Sequence, residues 1–413
     1  MPWLLPEPQL ALAEWRGRLH AMTTHLRQQA IQYRTALRPE VTRAATRSRL
    51  KLLAMACSDH ARRLQALLAP LQADADPAAA ATYAALAPAV ASAQGLASYY
   101  ANVHRDWCWG EVENHASSEA VHRALGGAQP QRLLVLGSGA GRLAYDLHVS
   151  LRPVATVAAD INPLLMAVAR RMYAGERIDL YEFPVAPRDL ASHALLRALL
   201  PPARAPEGLQ LVFADAKQPP FAPGSFDTVV TPWLVDVVDT DLGSLAAVVN
   251  GLLAPGGRWV CTGTLFFQQG DPAQAYSSEE VQEVVGEAGF ESPQLVCSKL
   301  PYLASPSSRH ARVEEIVTFA VAKTREVERP LRSLPGWLAD PRQPVPLLPE
   351  VAEHALALRV RGYVASLVDG NRSLLEIAAR LADEKLLPPA EAAGIVRDYL
   401  LRLHDEAQLR PVT

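Results

Sequence analysis

The stretch Leu133-Leu134-Val135-Leu136-Gly137-Ser138-Gly139-Ala140-Gly141-Arg142 leaves few folds open to this chain. Four consecutive apolar residues without alternation read as a strand covered on both faces. The glycines that follow lack a Cβ and tolerate positive φ, so the backbone turns sharply and passes close to whatever lies at the strand's end. The stretch therefore predicts a strand, a tight turn and a helix with a ligand at the turn. The G-x-G-x-G spacing alone also fits dinucleotide binding, so the elements that follow must decide.

Between about 121 and 325 the same grammar repeats. Apolar runs at Val154–Ala159, Leu209–Phe213, Phe226–Thr231, Gly257–Gly263 and Ile316–Ala322 alternate with amphipathic stretches. Continuous apolar strands separated by helices predict an α/β, doubly wound, Rossmann-like sheet, with ligands at the strands' carboxyl ends. Residues 1–120 read as a helical region. Leu12, Trp15, Leu19, Met22, Leu26, Ala30 and Tyr33 form one helical stripe, and Leu50, Leu53, Cys57, Leu64 and Leu67 a second. The Ala-rich stretch Ala73 to Ala93 is open to helix or loop. Residues 326–349, with Pro330, Pro335, Pro341, Pro344, Pro346 and Pro349, read as a linker. A small module over 350–413 shows helical periodicity at Leu374, Ile377, Ala378 and Leu381, and again at Ile395, Val396, Leu400 and Leu403.

A length of 413 residues allows two or three cores. A formal net charge of −3 with scattered basic residues disfavours nucleic acid as a partner. Cys57, Cys108, Cys261 and Cys297 form no CxxC pair, which predicts buried reduced thiols and neither a zinc site nor a disulfide framework. The first residues, Met1-Pro2-Trp3-Leu4-Leu5-Pro6-Glu7, lack the features of a signal peptide, and no apolar run reaches the ~18 residues of a membrane span. No membrane association and a cytoplasmic location are the expectations.

Asp160 closes the second apolar run about 20 residues after the turn, where a carboxylate can accept both ribose hydroxyls of an adenosine. Phe213-Ala214-Asp215-Ala216 ends the next run with a second acid. Ser225-Phe226-Asp227-Thr228-Val229-Val230-Thr231 then precedes Leu253-Ala254-Pro255-Gly256-Gly257-Arg258-Trp259-Val260. That order resembles the class I methyltransferase fold, which implies a sheet of seven strands. The resemblance implies S-adenosyl-L-methionine as cofactor, S-adenosyl-L-homocysteine as product and no metal. It places Gly137, Ser138, Gly139, Gly141, Arg142, Asp160, Asn162, Asp215, Ala216 and Pro232 at the cofactor, with Asp215 facing the adenine amino group and Arg142 pairing with the methionine carboxylate. The structural alternatives are a turn that merely tightens packing, acids that cap helices and a solvated Arg142.

Four stretches over roughly 95–323 together resemble the carnosine N-methyltransferase-like family. They are Arg105-Asp106-Trp107, Gly139 to Tyr145, Val229 to Asp236, and Tyr302 with Ser305-Pro306-Ser307-Ser308. By that resemblance Asn102 and Arg105 help enclose the cofactor, although the family favours glutamine at Asn102; Trp107 is equally a packing residue. An imidazole is mostly neutral at pH 7 and attacks through one ring nitrogen while the other carries hydrogen. A carboxylate beyond the fourth strand would select that tautomer, and Asp236 is the candidate, with helix capping as its alternative. Gln268 stands near where the family has a substrate-binding histidine, and Tyr302 closes the pocket or packs. The expected activity is N-methylation of an imidazole-containing small molecule or peptide. A different N or O nucleophile and a non-catalytic cofactor- or peptide-binding protein are the alternatives. Val368 to Ala378 resembles a PqqD-type winged helix, the pyrroloquinoline quinone synthesis chaperone, which implies a leader peptide as partner; packing or a homodimer is the other use of such a module.

Overall fold

The computed structural model describes residues 12–37, 43–72, 99–267, 272–328, 342–346, 359–360 and 362–407. Contacts divide the chain into two units, Met1–Pro330 and Leu331–Thr413.

The first unit opens with α1 (Leu12–Thr35) and α2 (Ala44–Gln72). The helices pack on each other through the predicted stripes, with Leu26 and Ala30 of α1 buried against Cys57, Ala61 and Leu64 of α2. The side chains of Leu12, Trp15 and Leu19, and all of Ala73 to Ala93, lie outside the described residues. Leu64 and Leu68 share one hydrophobic core with Leu133 and Val135 of the sheet, so the helical region and the sheet form a single unit. A short α3 (Tyr100–His104) runs into a π-helical turn over Arg105–Trp109, and α4 (Glu111–Leu125) follows.

Among the described residues nine strands come next: β1 (Arg132–Leu136), β2 (Ala155–Asp160), β3 (Ile178–Glu182), β4 (Leu195–Leu199), β5 (Leu209–Phe213), β6 (Phe226–Pro232), β7 (Leu253–Gly263), β8 (Val296–Tyr302) and β9 (Arg312–Ala322). Seven of them form the expected sheet, in the order β5-β2-β1-β6-β7-β9-β8. Neighbours from β5 to β7 are parallel, and β9 runs antiparallel to both β7 and β8. Counted within the sheet this is 3-2-1-4-5-7-6, and the reversed final pair separates it from the dinucleotide-binding order 3-2-1-4-5-6.

The pleat explains the double layer. Leu133 and Val135 point to the face covered by α5 (Arg142–Leu151) and α6 (Pro163–Tyr173). Leu134 and Leu136 point to the face covered by α7 (Leu242–Leu252) and α8 (Ser278–Glu287). All four are fully buried, each removal from water contributing roughly 1.5–3 kcal/mol.

The apolar runs did not reveal β8, which carries Lys299 and Pro301 and alternates between exposed and half-buried positions, as an edge strand does. They also did not reveal the separate β3–β4 hairpin. Two cysteines differ from expectation: Cys57 and Cys261 are buried, whereas Cys108 in the π-helical turn and Cys297 on the edge strand are exposed.

In the second unit a helical segment over 362–367, α9 (Leu374–Asp383) and α10 (Pro389–Ala407) share a core of Val364, Leu367, Ile377, Leu381, Ala392 and Val396. Ser373 and Glu376 cap α9 reciprocally, while Ile395 of the predicted stripe is exposed. Among the described residues of this unit there is no strand, so the wing of the expected winged helix is not among them. No helix among the described residues is long and apolar enough to cross a membrane.

Candidate functional site

The carboxyl ends of β1, β2, β5 and β6 open into one cavity of about 1000 Å³. This is the topological switch point of the sheet, where strand order reverses and the flanking loops part.

Three glycines follow β1, each for a different reason. At Gly137 (φ +80°) a Cβ would stand 2.7 Å from Leu234, and at Gly139 (φ +58°) it would meet nothing within 4 Å. Gly141 (φ +87°) would place a Cβ 2.6 Å from the Tyr173 hydroxyl, which donates to the Gly141 carbonyl at 2.7 Å. Gly139 thus leaves room for a ligand, whereas Gly141 lies outside the cavity lining and serves packing. Gly141→Ala is expected to cost at least ~1 kcal/mol from its left-handed backbone alone. A differential scan should show a melting midpoint lower by about 2–4 °C or more.

Asp160 lines the cavity and is tied to its own turn. Oδ2 accepts the Gly139 N–H at 2.8 Å and Oδ1 the Asn162 N–H at 2.8 Å. Burial pushes its carboxyl up to about 6, against the downward pull of these backbone donors. Asn162 also lines the cavity, but its side chain caps α6 by accepting from Leu164 and Leu165. Asp215 lines the neighbouring wall with Ala216, its Oδ1 accepting the Lys217 N–H at 2.8 Å. Ser138 lines the cavity too, with a buried hydroxyl that has no hydrogen-bond partner. Pro232 and Asn102 complete the placement of predicted residues at this end.

The Arg-Asp-Trp element braces the turn from outside. Trp107 is buried and donates its indole N–H to the Ala140 carbonyl at 2.8 Å, so it is a packing residue that also pins the loop. Arg142 is not part of the lining. Its Nε bonds the Asp146 carboxylate at 2.9 Å, its Nη1 the Asp106 carbonyl at 2.9 Å, and its guanidinium lies 5.6 Å from the Trp107 ring. The side chain expected at a ligand carboxylate instead bolts α5 to the π-helical turn. Arg105 does line the cavity, ion-paired with Asp106 at 2.7 Å.

At the far end Asp236 follows β6 and is only 7% exposed. Its Oδ2 accepts the Thr264 hydroxyl at 2.6 Å and the Phe266 N–H at 3.0 Å, while Oδ1 is buried without a partner. Burial raises its carboxyl above the usual range. It caps no helix; Asp241 caps α7. The Trp233 and Tyr302 rings lie 4.6 Å apart, and the Arg312 guanidinium sits 4.8 Å from the Tyr302 centroid. Glu113 of α4 holds the turn after Tyr302, accepting the N–H groups of Leu303 at 3.0 Å and Ala304 at 2.9 Å. Ser305 donates to Glu182, and Arg197 joins Glu182 at 2.8 Å to Ser307 at 2.6 Å, so the Ser-Pro-Ser-Ser stretch is anchored on the β3–β4 hairpin. Gln268 lies outside the described residues.

Sequence reasoning missed Tyr99, Glu113, Arg312 and Glu314, which also line the cavity. No local pattern marks them, because β9, α4 and the start of α3 bring them in from distant positions. Among the described residues no group of three or more His, Cys, Asp or Glu side chains is arranged to hold a metal.

No protein-family model matches the chain, and no curated protein matches it. Solved structures similar to it include the CurJ carbon methyltransferase, at 16% identity over 68% of this chain and 67% of that one, TM-score 0.37. Another is a SAM-dependent methyltransferase from Methanosarcina mazei, at 15% identity over 50% and 97%, TM-score 0.34. A third is a phosphoethanolamine N-methyltransferase from Haemonchus contortus, in complex with phosphomonomethylethanolamine and S-adenosylhomocysteine, at 17% identity over 50% and 44%, TM-score 0.35. Overlap at this level assigns neither substrate nor chemistry.

Proposed function

We propose that this chain is an S-adenosyl-L-methionine-dependent methyltransferase acting on a ring nitrogen of an imidazole-bearing small molecule or peptide. The observation that carries the reading is the convergence of Asp160 and Asp215, from the ends of adjacent strands, on a cavity whose floor is left open at Gly139. The reversed β8–β9 pair at the end of the sheet argues against a dinucleotide enzyme.

The residues present fit the cofactor. Asp160 would take the ribose hydroxyls, Asp215 the adenine edge, and the Gly137–Gly139 backbone with the partnerless Ser138 hydroxyl the amino-acid portion. When bound, S-adenosyl-L-methionine supplies an electrophilic methyl group on a sulfonium. The chain's own part is alignment and exclusion of water, since the displacement is in line and the nucleophile is the acceptor's. Asp236 is set to accept the N–H of the non-attacking nitrogen, which selects the tautomer with a free lone pair opposite. Thr264 and Phe266 hold that carboxylate in place through Oδ2, leaving Oδ1 for the acceptor.

The decisive test is calorimetric titration with S-adenosylhomocysteine and with NAD: the first should bind and the second should not, and absence of S-adenosylhomocysteine binding ends the reading. A mass-spectrometric screen of histidine-containing metabolites and peptides for gain of one methyl then tests the acceptor, and methylation only of unrelated N or O nucleophiles would replace the imidazole assignment.

Binding should also depend on pH in a set direction. Ribose hydroxyls donate to the ionised carboxylate, and Asp160 titrates near 6 in the free protein. Affinity for S-adenosylhomocysteine should therefore be full above pH 7 and fall as pH drops through 6, by about tenfold at pH 5. The same raised value means that protonation favours the ligand-free fold, so acid does not weaken the protein through this group. A flat affinity profile from pH 5 to 8 would exclude Asp160 as the ribose acceptor.

A further inference from the structure

One buried carboxylate holds the strained turn after Tyr302, and the residue next to it in α4 is tied to the cofactor end of the cavity. Tyr302 closes β8, and Leu303 has a left-handed backbone (φ +53°), which a bulky residue adopts only under constraint. Glu113 supplies that constraint. It is 7% exposed, its Oε2 accepts the Leu303 N–H at 3.0 Å and its Oε1 accepts the Ala304 N–H at 2.9 Å. On the far side of the turn the Ser305 hydroxyl donates to Glu182. Glu113 therefore grips the side that sets Tyr302, whose ring lies 4.6 Å from that of Trp233.

The neighbouring Asn114 donates its side-chain amide to the Arg105 and Asp106 carbonyls, both at 3.2 Å. At Gly110, where α4 starts, a Cβ would stand 2.3 Å from the Arg105 carbonyl oxygen, so the helix and the π-helical turn meet without a gap. The Asp106 carbonyl also accepts from Arg142, and Trp107 donates to the Ala140 carbonyl inside the glycine turn at 2.8 Å. A continuous set of contacts thus runs from the glycine turn through the start of α4 to the turn after Tyr302, with Glu113 as its last link. Leu303 supplies the element with two states, since its backbone relaxes once the carboxylate lets go.

Resting on the methyl-transfer reading above, we propose that Glu113 is a positioning residue for that reaction. It fixes Tyr302 against Trp233 and makes the order of this wall depend on the cofactor bound at the glycine turn. Glutamine in its place has one carbonyl oxygen for two N–H groups and sets its own amide against the other.

Amide hydrogen exchange in the full chain, read by mass spectrometry over a peptide covering residues 301–306, tests this. In the wild type, saturating S-adenosylhomocysteine should slow exchange there about fivefold or more, the lower end of coupling between sites. Glu113→Gln should speed exchange in the free protein about tenfold, the equivalent of one hydrogen bond to a charged group. It should also abolish the response to S-adenosylhomocysteine while binding that ligand within about threefold of the wild type, because the turn is still mostly closed. Asn114→Ala should leave the free rate within about threefold and abolish the response, which a role confined to holding the turn does not explain. If circular dichroism shows one variant unfolded, the other decides. No slowing in the wild type, unchanged exchange in Glu113→Gln, or a response that persists in either folded variant would each overturn the inference. Unfolding of both would do so too, marking the contacts as structural only. Absence of S-adenosylhomocysteine binding ends the methyltransferase reading and this one with it, whereas binding without a change in exchange ends this one alone.

Discussion

Asp160→Ala is expected to weaken S-adenosylhomocysteine binding by about 100-fold or more. Each charge-assisted hydrogen bond from a ribose hydroxyl is worth roughly 1.5–3 kcal/mol, and the carboxylate offers two oxygens. The substitution also removes the acceptor for the Gly139 and Asn162 N–H groups, so the turn loses its tie to β2. Asp160→Asn keeps one carbonyl acceptor and should fall between the two. Titration calorimetry reads the affinity, and circular dichroism confirms that the sheet is intact. An alanine variant that binds within about threefold of the wild type would remove Asp160 from the cofactor site, and with it the main support for the reading.

The second large effect is on turnover. Asp236→Asn should lower kcat by about 100-fold or more, the range seen when a group that positions or takes a proton is lost, while S-adenosylhomocysteine affinity stays nearly constant. Asparagine is isosteric but offers an amide N–H where a carboxylate oxygen stood, and so presents a donor to a donor. Stability separates this role from a structural one. Asp236 is nine-tenths buried with one oxygen unpartnered, so neutralising it removes a desolvation cost. The variant should melt at the same temperature or higher while being nearly inactive, the trade expected of a strained functional group. Unchanged turnover would end the assignment, and a large drop in melting temperature would mark the residue as structural.

Legibility differed along the chain. Val135 and Asp160 were readable because the residues of a buried parallel strand, and the acid that ends it, are adjacent in sequence. Tyr302 was visible only through a resemblance, since β8 is an edge strand with Lys299 and Pro301 and has no continuous apolar run. Arg142 shows a different limit. Its place after the glycines is shared by residues that meet ligands and residues that meet the protein. Only the position of Asp146 one helical turn on, with the Asp106 carbonyl across the gap, sends its guanidinium away from the cavity.

The amino-acid sequence by itself determined the doubly wound sheet, the glycine turn and the two acids that succeed it at strand ends, because these depend on local periodicity and on backbone freedom within a few residues. Tertiary structure alone decided the acceptor end. Glu113 reaches across about 190 positions to hold the turn after Tyr302, and β9 brings Arg312 and Glu314 to the cavity that Asp236 lines. Such contacts close long loops, and no short window of sequence records which distant side chains the closure will bring together.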